Sequence, residues 1–407
     1  MTLPNLGDPE ILSDPYPAYR RAFATGPLLR SPEPESRTWF LGGHEEISSL
    51  LRDPTLSSNR VAFLAHRLTP PQRQAIDPLL TALSEWILFK DPPAHTPLRR
   101  SVNAALSRRL VIGMQASIGQ LVGELLDLAA ARSSLDIVAD LANPLPAIVV
   151  ARMLGARPED CARLKAWSED IAQFLGARTG LRGVQDAQRS TLAMIDYFRD
   201  VLARHRAEPR DDLMGALLAA FPSNDPKGDE GDHALLANCV ALMFAGHETT
   251  TNLIGNAVHL LLDRPALVDR LRQDPPAWAR AIEEVLRYES PVQRVSRVTT
   301  VPREIAGVTI PAGHRVIHVL AAANRDPAIF DQPERFEIDR SPNPHLTFGF
   351  GIHLCSGAAL ARIEARAALQ ALFERFEGLE RQRPVSWKPN FGFRSLTSLP
   401  VSWTHAR

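Results

Sequence analysis

Apolar positions recur every three or four residues along most of the chain, the spacing of helices with one buried face. The pattern predicts helices over Pro97–Leu110, Ile118–Ala131, Leu192–His205, Trp278–Glu289 and Gly357–Phe376. Strand-like runs are few and short: Trp39–Leu41, Ile305–Ile310 and Arg315–Leu320, the last two joined by a turn at Pro311-Ala-Gly313. The longest helical candidate runs from about Ala234 to Asp263, where Arg264-Pro265 stops it, and would span about 45 Å. It is apolar on nearly every side, which places it through the middle of a fold. Its centre, Ala245-Gly-His-Glu-Thr-Thr-Thr251, sets a glycine, an acid and three β-branched hydroxyl residues inside that helix, where threonine back-bonding can bend it. Breaches of local preference of this kind are where function is expected. The expected fold class is mainly α with a minor β region.

Composition adds limits. The 407 residues are 45% hydrophobic and 23% charged, ordinary for a folded chain. No repeat or low-complexity linker divides them, although 33 prolines punctuate the sequence, so a single domain over 1–407 is expected. With 46 basic and 46 acidic residues, no net field recruits nucleic acid or an anionic membrane. Three cysteines, Cys161, Cys239 and Cys355, are too sparse for a disulfide framework and fit a reducing cytoplasm. Met1–Pro17 carries prolines and acids rather than a signal peptide. The most apolar stretch, Leu235–Gly246, is broken by Asn238 and ends at His247-Glu248, short of a membrane span. A soluble protein is expected.

The segment richest in chemistry is Phe348-Gly-Phe-Gly-Ile-His-Leu-Cys355-Ser-Gly357, followed at once by a helical run. Its glycines permit tight folding, and the helix start offers N–H groups and a positive dipole end that stabilise a thiolate. A structural zinc needs four ligands, and His353 with Cys355 has no second pair. A nucleophilic Cys355 could use His353 as base but would not need the glycines. One axial thiolate on haem iron needs a single ligand in a tight loop. Cys161 and Cys239 read as inert buried residues.

The loop resembles the haem-ligand loop of the cytochrome P-450 family, with Cys355 as proximal thiolate, Phe348, Gly349 and Gly357 at its defining positions and His353 where a propionate partner sits. Further stretches are similar, in the same order. Ala245-Gly246-His-Glu248-Thr249-Thr resembles the oxygen-activation motif, with His247 as a departure that either faces away from haem or shapes a proton path. Glu284-Val-Leu-Arg287 resembles the Glu-x-x-Arg signature, whose i,i+3 spacing lets opposite charges pair, and Pro333–Phe336 supplies its third partner, Arg335. Asp91–Arg100 is similar to the short helix under the haem, with His95 and Arg99 an i,i+4 pair able to grip a carboxylate. Arg297 falls where bacterial members keep a propionate-binding arginine. For each of these basic residues the bland alternative is a solvated side chain.

The resemblance implies the P-450 fold with its long central helix over haem b (iron protoporphyrin), and a monooxygenase that activates dioxygen to oxidise, most simply hydroxylate, a largely apolar small molecule. Thr249 becomes the hydrogen-bond donor and Glu248 the link to solvent protons. By position in the family, the substrate pocket draws on Val61–Trp86, on Ile171–Thr179, on Leu242 and Ala245, and on Val292, Val295 and Phe393. No reductase module fits beside this domain, so electrons come from a separate ferredoxin and ferredoxin reductase. Arg100, Arg108, Arg109, Arg362 and Arg366 form either a docking patch for that acidic partner or a scatter of solvated charges. A monomer without nucleic acid or membrane partners is implied. The rivals are a peroxide-driven enzyme of the same fold, which would not need Glu248 and Thr249, and a haem-binding sensor or carrier without turnover.

Overall fold

The apolar run that ends before Arg264-Pro265 folds as one unbroken helix, Asp229–Leu262, which starts earlier than its periodicity predicts and is about 50 Å long. Its three threonines do not interrupt it. The computed structural model describes residues 8–132, 134–176, 180–210, 212–221 and 229–406, mostly helical with short strands. By contact the chain forms two units interleaved in sequence. One comprises Met1–Leu56, Met114–Leu145 and Thr249–Arg407, the other Ser57–Gly113 and Pro146–Glu248.

The first unit holds the principal sheet, in the order Leu28–Arg30, Thr38–Leu41, Arg315–His318, Val295–Thr299 and the edge strand Leu56–Ser57. Thr38–Leu41 runs parallel to Arg315–His318; the pairings of Leu28–Arg30 with Thr38–Leu41 and of Val295–Thr299 with Arg315–His318 are antiparallel. Residues alternate between faces, as the pleat requires. Leu41 and Val316 enter a core with Ile47, Leu50 and Leu346, while Leu29 and Ile317 pack with Tyr16 and Tyr19. The run expected as one strand over Ile305–Ile310 is instead a hairpin of Arg303–Ile305 and Val308–Ile310, because Ala306 and Gly307 adopt positive φ and reverse the chain. Arg315–Leu320 is strand only to His318, and a short helix begins at Leu320. Ala277–Tyr288 and Gln115–Arg132 both pack on Ala358–Arg375.

The second unit is helical. Cys161–Gly176 and Leu181–Ala207 pack on each other, and Leu181–Ala207 also packs on Asp77–Ser84. The predicted helix over Pro97–Leu110 is two helices, His95–Ala105 and Arg108–Gly113, separated where Leu106 leaves helical geometry. Asn238, the polar break in the apolar run, accepts from Ile87 N (2.9 Å) and donates to the carbonyls of Glu85 and Ala234 (2.8 Å each), pinning the Trp86–Phe89 segment to the long helix.

In Ala358–Arg375 the carboxyl of Glu364 is fully buried, its Oε2 has no hydrogen-bond partner among the described residues, and burial holds it well above the usual carboxylate range. The folded chain therefore keeps a proton there that the unfolded chain sheds above its ordinary pKa, so this site erodes stability as pH rises from about 4.5. Glu364→Gln removes the proton linkage. Denaturant melts should show its advantage over wild type growing by up to about 1.4 kcal/mol per pH unit above that value, whereas a constant offset across pH 4 to 8 would contradict a buried neutral carboxyl.

Candidate active site

Glu284 and Arg287 lie one turn apart on Ala277–Tyr288, both fully buried. The guanidinium grips the carboxylate with two hydrogen bonds, Nε to Oε2 at 2.8 Å and Nη2 to Oε1 at 2.7 Å. Its remaining donors reach the carbonyls of Asn324 (3.0 Å), Pro333 (2.9 Å) and Arg335 (3.0 Å). The carboxylate also accepts from Glu337 N (2.8 Å) and Asn343 Nδ2 (3.2 Å). A buried charge pair offsets its desolvation only when its lone pairs and protons are filled in this way. The second arginine on Glu284 is Arg340, 3.4 Å away, and not the expected Arg335. Arg335 supplies its backbone carbonyl to Arg287, and the turn holding that carbonyl inward leaves the Arg335 side chain exposed.

This network reaches the cysteine loop through Asn324. Asn324 Nδ2 donates to Ser290 Oγ and Thr347 Oγ1 at 2.8 Å, and its Oδ1 accepts from Leu346 N at 2.7 Å. Thr347 Oγ1 in turn donates to the Leu286 carbonyl at 2.6 Å. The chain entering Phe348 is thereby fixed from three sides. Within the loop Cys355 N donates to Phe348 O (2.9 Å) and Leu354 N to Gly351 O (3.1 Å). Gly349 and Gly351 both have φ +72°, and a Cβ at Gly351 would stand 2.7 Å from the Leu51 carbonyl. Cys355 is exposed immediately before the helix Ala358–Arg375, whereas Cys161 and Cys239 are buried and burial pushes the Cys239 thiol up to about 12.

A second cluster braces the loop's first residue. Glu283 accepts from Arg362 Nε (2.6 Å) and Nη2 (2.8 Å) and contacts His345 Nε2 (3.1 Å), and these partners hold its carboxyl down at about 2 against the opposing effect of burial. The Arg362 guanidinium lies 4.4 Å over the Phe348 ring, and the charge of Cys355 acts on it. Arg362 is thus already neutralised, while Arg100, Arg108, Arg109 and Arg366 are exposed. Arg297 is buried on the strand Val295–Thr299, and His353 is half-buried beside Cys355. Val292 and Phe393 form an isolated bridge, and Val295 packs on the inner core of the sheet.

In the second unit His95 is buried and Arg99 half-buried on the helix His95–Ala105. Val61, Trp86 and Ile171 are buried, and residues 177–179 of the predicted pocket lie outside the described residues. On the long helix Leu242, Ala245, Gly246 and Thr249 are half-exposed while Met243, Phe244, His247 and Glu248 are buried, so one i, i+3, i+4, i+7 stripe is left open. A Cβ on Gly246 would stand 2.5 Å from Val150, so the glycine permits close packing. His247 is turned off the open stripe, its Nδ1 3.1 Å from Ser168 Oγ on Cys161–Gly176. Ser168, Asn324, His345 and Arg340 were not readable as site residues, since each is recognisable only by what it touches.

The donor set fits an iron porphyrin: one accessible sulfur at a helix start, with imidazole and guanidinium side chains able to take carboxylates. Among the described residues no group of three His, Cys, Asp or Glu could hold a metal ion, and no helix is long and apolar enough to cross a membrane.

The family model for cytochrome P450 matches residues 63–275 and 276–400. The "Biotin biosynthesis cytochrome P450" of Bacillus subtilis (strain 168) is 34% identical over 396 residues, 97% of each chain. "Cytochrome P450 monooxygenase PikC" of Streptomyces venezuelae is 35% identical over 412 residues, covering 98% of this chain and 93% of its own. A solved structure of P450BioI in complex with hexadec-9Z-enoic acid ligated acyl carrier protein superposes with TM-score 0.90 at 33% identity, over 97% of this chain and all of that one. The chain belongs to the cytochrome P450 family. It has the fold of that family and is a haem-binding monooxygenase.

Two substitutions check the geometry. Arg287→Leu strands the Glu284 charge and three carbonyls and should cost about 3–5 kcal/mol of stability, with haem lost on purification; a haem-replete variant of wild-type melting temperature would contradict the network. Gly351→Ala should destabilise by about 1–3 kcal/mol through its positive φ and its clash with Leu51, and should weaken the thiolate signature of the reduced carbon monoxide spectrum.

Proposed function

We propose that the chain is a single catalytic domain, working in the cytoplasm as a monomer, that hydroxylates a long apolar acyl chain with electrons from a separate ferredoxin and its reductase. The observation that carries this reading is the half-exposed stripe Leu242, Ala245, Gly246 and Thr249 on an otherwise buried helix, an apolar wall ending in a hydroxyl with the buried Glu248 carboxylate next to it. The family match across both units supports one functional domain. The acyl chain is supported by the fatty acyl carrier protein ligand of the P450BioI structure and by the apolar side chains of Leu242, Val292, Val295 and Phe393.

In this reading Cys355 would ligate the haem iron, Phe348, Gly349 and Gly357 would shape its loop, Ala245 and Gly246 would border the cofactor from the long helix, and His95, Arg99, Arg297 and His353 would hold the propionates. Carboxylates taken into an apolar site must be paired or cost several kcal/mol, about the order of a buried ion. Haem iron with an anionic sulfur ligand, when bound, supplies the activation of dioxygen. The protein's part is to seat substrate, exclude water and move protons. The Thr249 hydroxyl donates a hydrogen bond and orders water at the open stripe, and Glu248 relays protons from solvent to it. Arg100, Arg108, Arg109 and Arg366 supply positive charge for an acidic electron carrier.

Thr249→Ala should bind haem and substrate as wild type does, while product formed per electron falls several-fold and released peroxide rises to match. An unchanged yield per electron would remove Thr249 from proton delivery. For the substrate, palmitic acid free and loaded on acyl carrier protein should each be titrated against the ferric spin-state change, with products identified after turnover. Hydroxylated acyl chain supports the reading; a spectral response and product from polar or aromatic compounds alone overturns the acyl assignment.

A further inference from the structure

The open stripe on the long helix has a closed end, and one polar residue stands there. Asn238 precedes Leu242 by four residues, Ala245 by seven and Thr249 by eleven, so it belongs to the same helical face. Leu242, Ala245 and Thr249 are half-exposed, whereas residues 235–241 are buried without exception. Exposure along this face therefore stops between Leu242 and Asn238, which lies about 16 Å along the axis from Thr249.

The cover over Asn238 is made by residues 85–90. The helix Asp77–Ser84 ends and a tight turn begins at Ile87, so the Glu85 carbonyl and the Ile87 N–H fall between two elements. Asn238 answers both: its Oδ1 accepts from Ile87 N at 2.9 Å and its Nδ2 donates to Glu85 O at 2.8 Å, with a second bond to Ala234 O on its own helix. A carboxamide can donate and accept from one plane, and here both halves are used. An apolar side chain could fill the same space, but a fully satisfied amide also fixes position. The covering segment is stiff in itself. Lys90 Nζ meets the Glu85 carboxylate at 3.0 Å and joins its ends. The Trp86 ring stacks on Phe89 (centroids 5.9 Å apart, planes 6° apart) and on Phe244 of the long helix (5.7 Å, 28°). The Arg60 guanidinium lies 4.6 Å from the Phe89 ring centroid. A rigid plug is thus hung by its backbone from one amide, immediately beyond the open stripe.

We propose that Asn238 is a specificity-determining positioning residue: by latching residues 85–90 across the long helix it closes the stripe one turn beyond Leu242 and sets the length of apolar chain that the site accepts. It touches neither the substrate nor the cofactor and acts through the segment it holds. Releasing the latch would let an apolar chain run about one helical turn further, about 5 Å. The proposal rests on the reading of the stripe as the substrate wall, and it deepens the acyl-chain assignment.

The experiment uses the haem-loaded full chain and two variants. Asn238→Leu keeps the volume and removes both halves of the amide; Cys239→Ala makes a cavity one residue along the same helix and controls for loss of stability alone. Affinity is measured against chain length in two series: saturated fatty acids of 10 to 18 carbons by the ferric spin-state change, and 1-alkylimidazoles of 4 to 12 carbons, whose ring nitrogen ligates haem iron whatever the enzyme oxidises. Wild type should show a chain-length cut-off. Asn238→Leu should move it at least two carbons longer, the first chains beyond the wild-type cut-off binding about tenfold tighter than they do to wild type, and Cys239→Ala should leave it in place. Hydrogen exchange supplies a readout without ligand: the Ile87 amide should exchange about tenfold faster in Asn238→Leu and at the wild-type rate in Cys239→Ala.

A cut-off that stays put in Asn238→Leu overturns the proposal, whether or not the Ile87 amide is released, as does an equal shift in Cys239→Ala or a wild-type protein with no cut-off in either series. Should Asn238→Leu not fold, Asn238→Ser takes its place with the same expectations, since one hydroxyl cannot serve both backbone groups. Failure of the acyl reading looks different: no fatty acid then shifts the wild-type spin state, while the alkylimidazole cut-off still moves in Asn238→Leu.

Discussion

One sulfur has to be presented in a fixed place by a loop whose large apolar side chains Phe350, Ile352 and Leu354 are exposed rather than packed. The segment from Phe348 to Gly357 buys its tight path with glycine, two of them at positive φ, and so carries little packing of its own. Its position is imposed from outside. Arg287 holds Glu284 and three carbonyls, one of them that of Asn324, and Asn324 in turn ties Ser290, Thr347 and Leu346. Glu283 with Arg362 and His345 braces Phe348 from the following helix. A fully buried ion pair is weak evidence for stability in general, but here every donor and acceptor is used and the product is rigidity at Cys355.

The same accounting separates the structural charges from those awaiting a partner. Glu284 and Arg287 are saturated, and Arg394, paired with Glu289, holds the chain at the carbonyls of Leu12 and Ser13. Among the described residues, His318 lacks hydrogen-bond partners on both nitrogens, and Glu364 on one oxygen. Burial drives both toward neutrality, which is what a low-dielectric interior does to an ionisable group without a counter-ion. Both are among the buried polar groups of the described residues with an atom that finds no hydrogen-bond partner, and each calls for its own explanation.

What could be read from the sequence was local. The long helix, the helix after Cys355 and the glycine-rich loop are each set by the spacing of residues close in the chain. The hairpin at Ala306-Gly307 escaped because alanine seldom adopts the conformation it has there. The strand Val295–Thr299 was hidden because its inward positions include Arg297, a polar residue in a place periodicity reserves for apolar ones. Arg340 rather than Arg335 meets Glu284 because a turn settles which arginine faces inward, and no spacing rule encodes that turn. His247 departs from an apolar position for the benefit of Ser168, seventy-nine residues away in the chain. Tertiary burial of polar groups is invisible to a pattern that records only polarity.

The most direct measurement is the reduced carbon monoxide spectrum of the haem-loaded protein, compared with that of Cys355→Ser. The account predicts a thiolate-type band in the wild-type protein that the substitution abolishes while the chain stays folded. A wild-type spectrum of the neutral-ligand type, or a thiolate band that survives in Cys355→Ser, would contradict it.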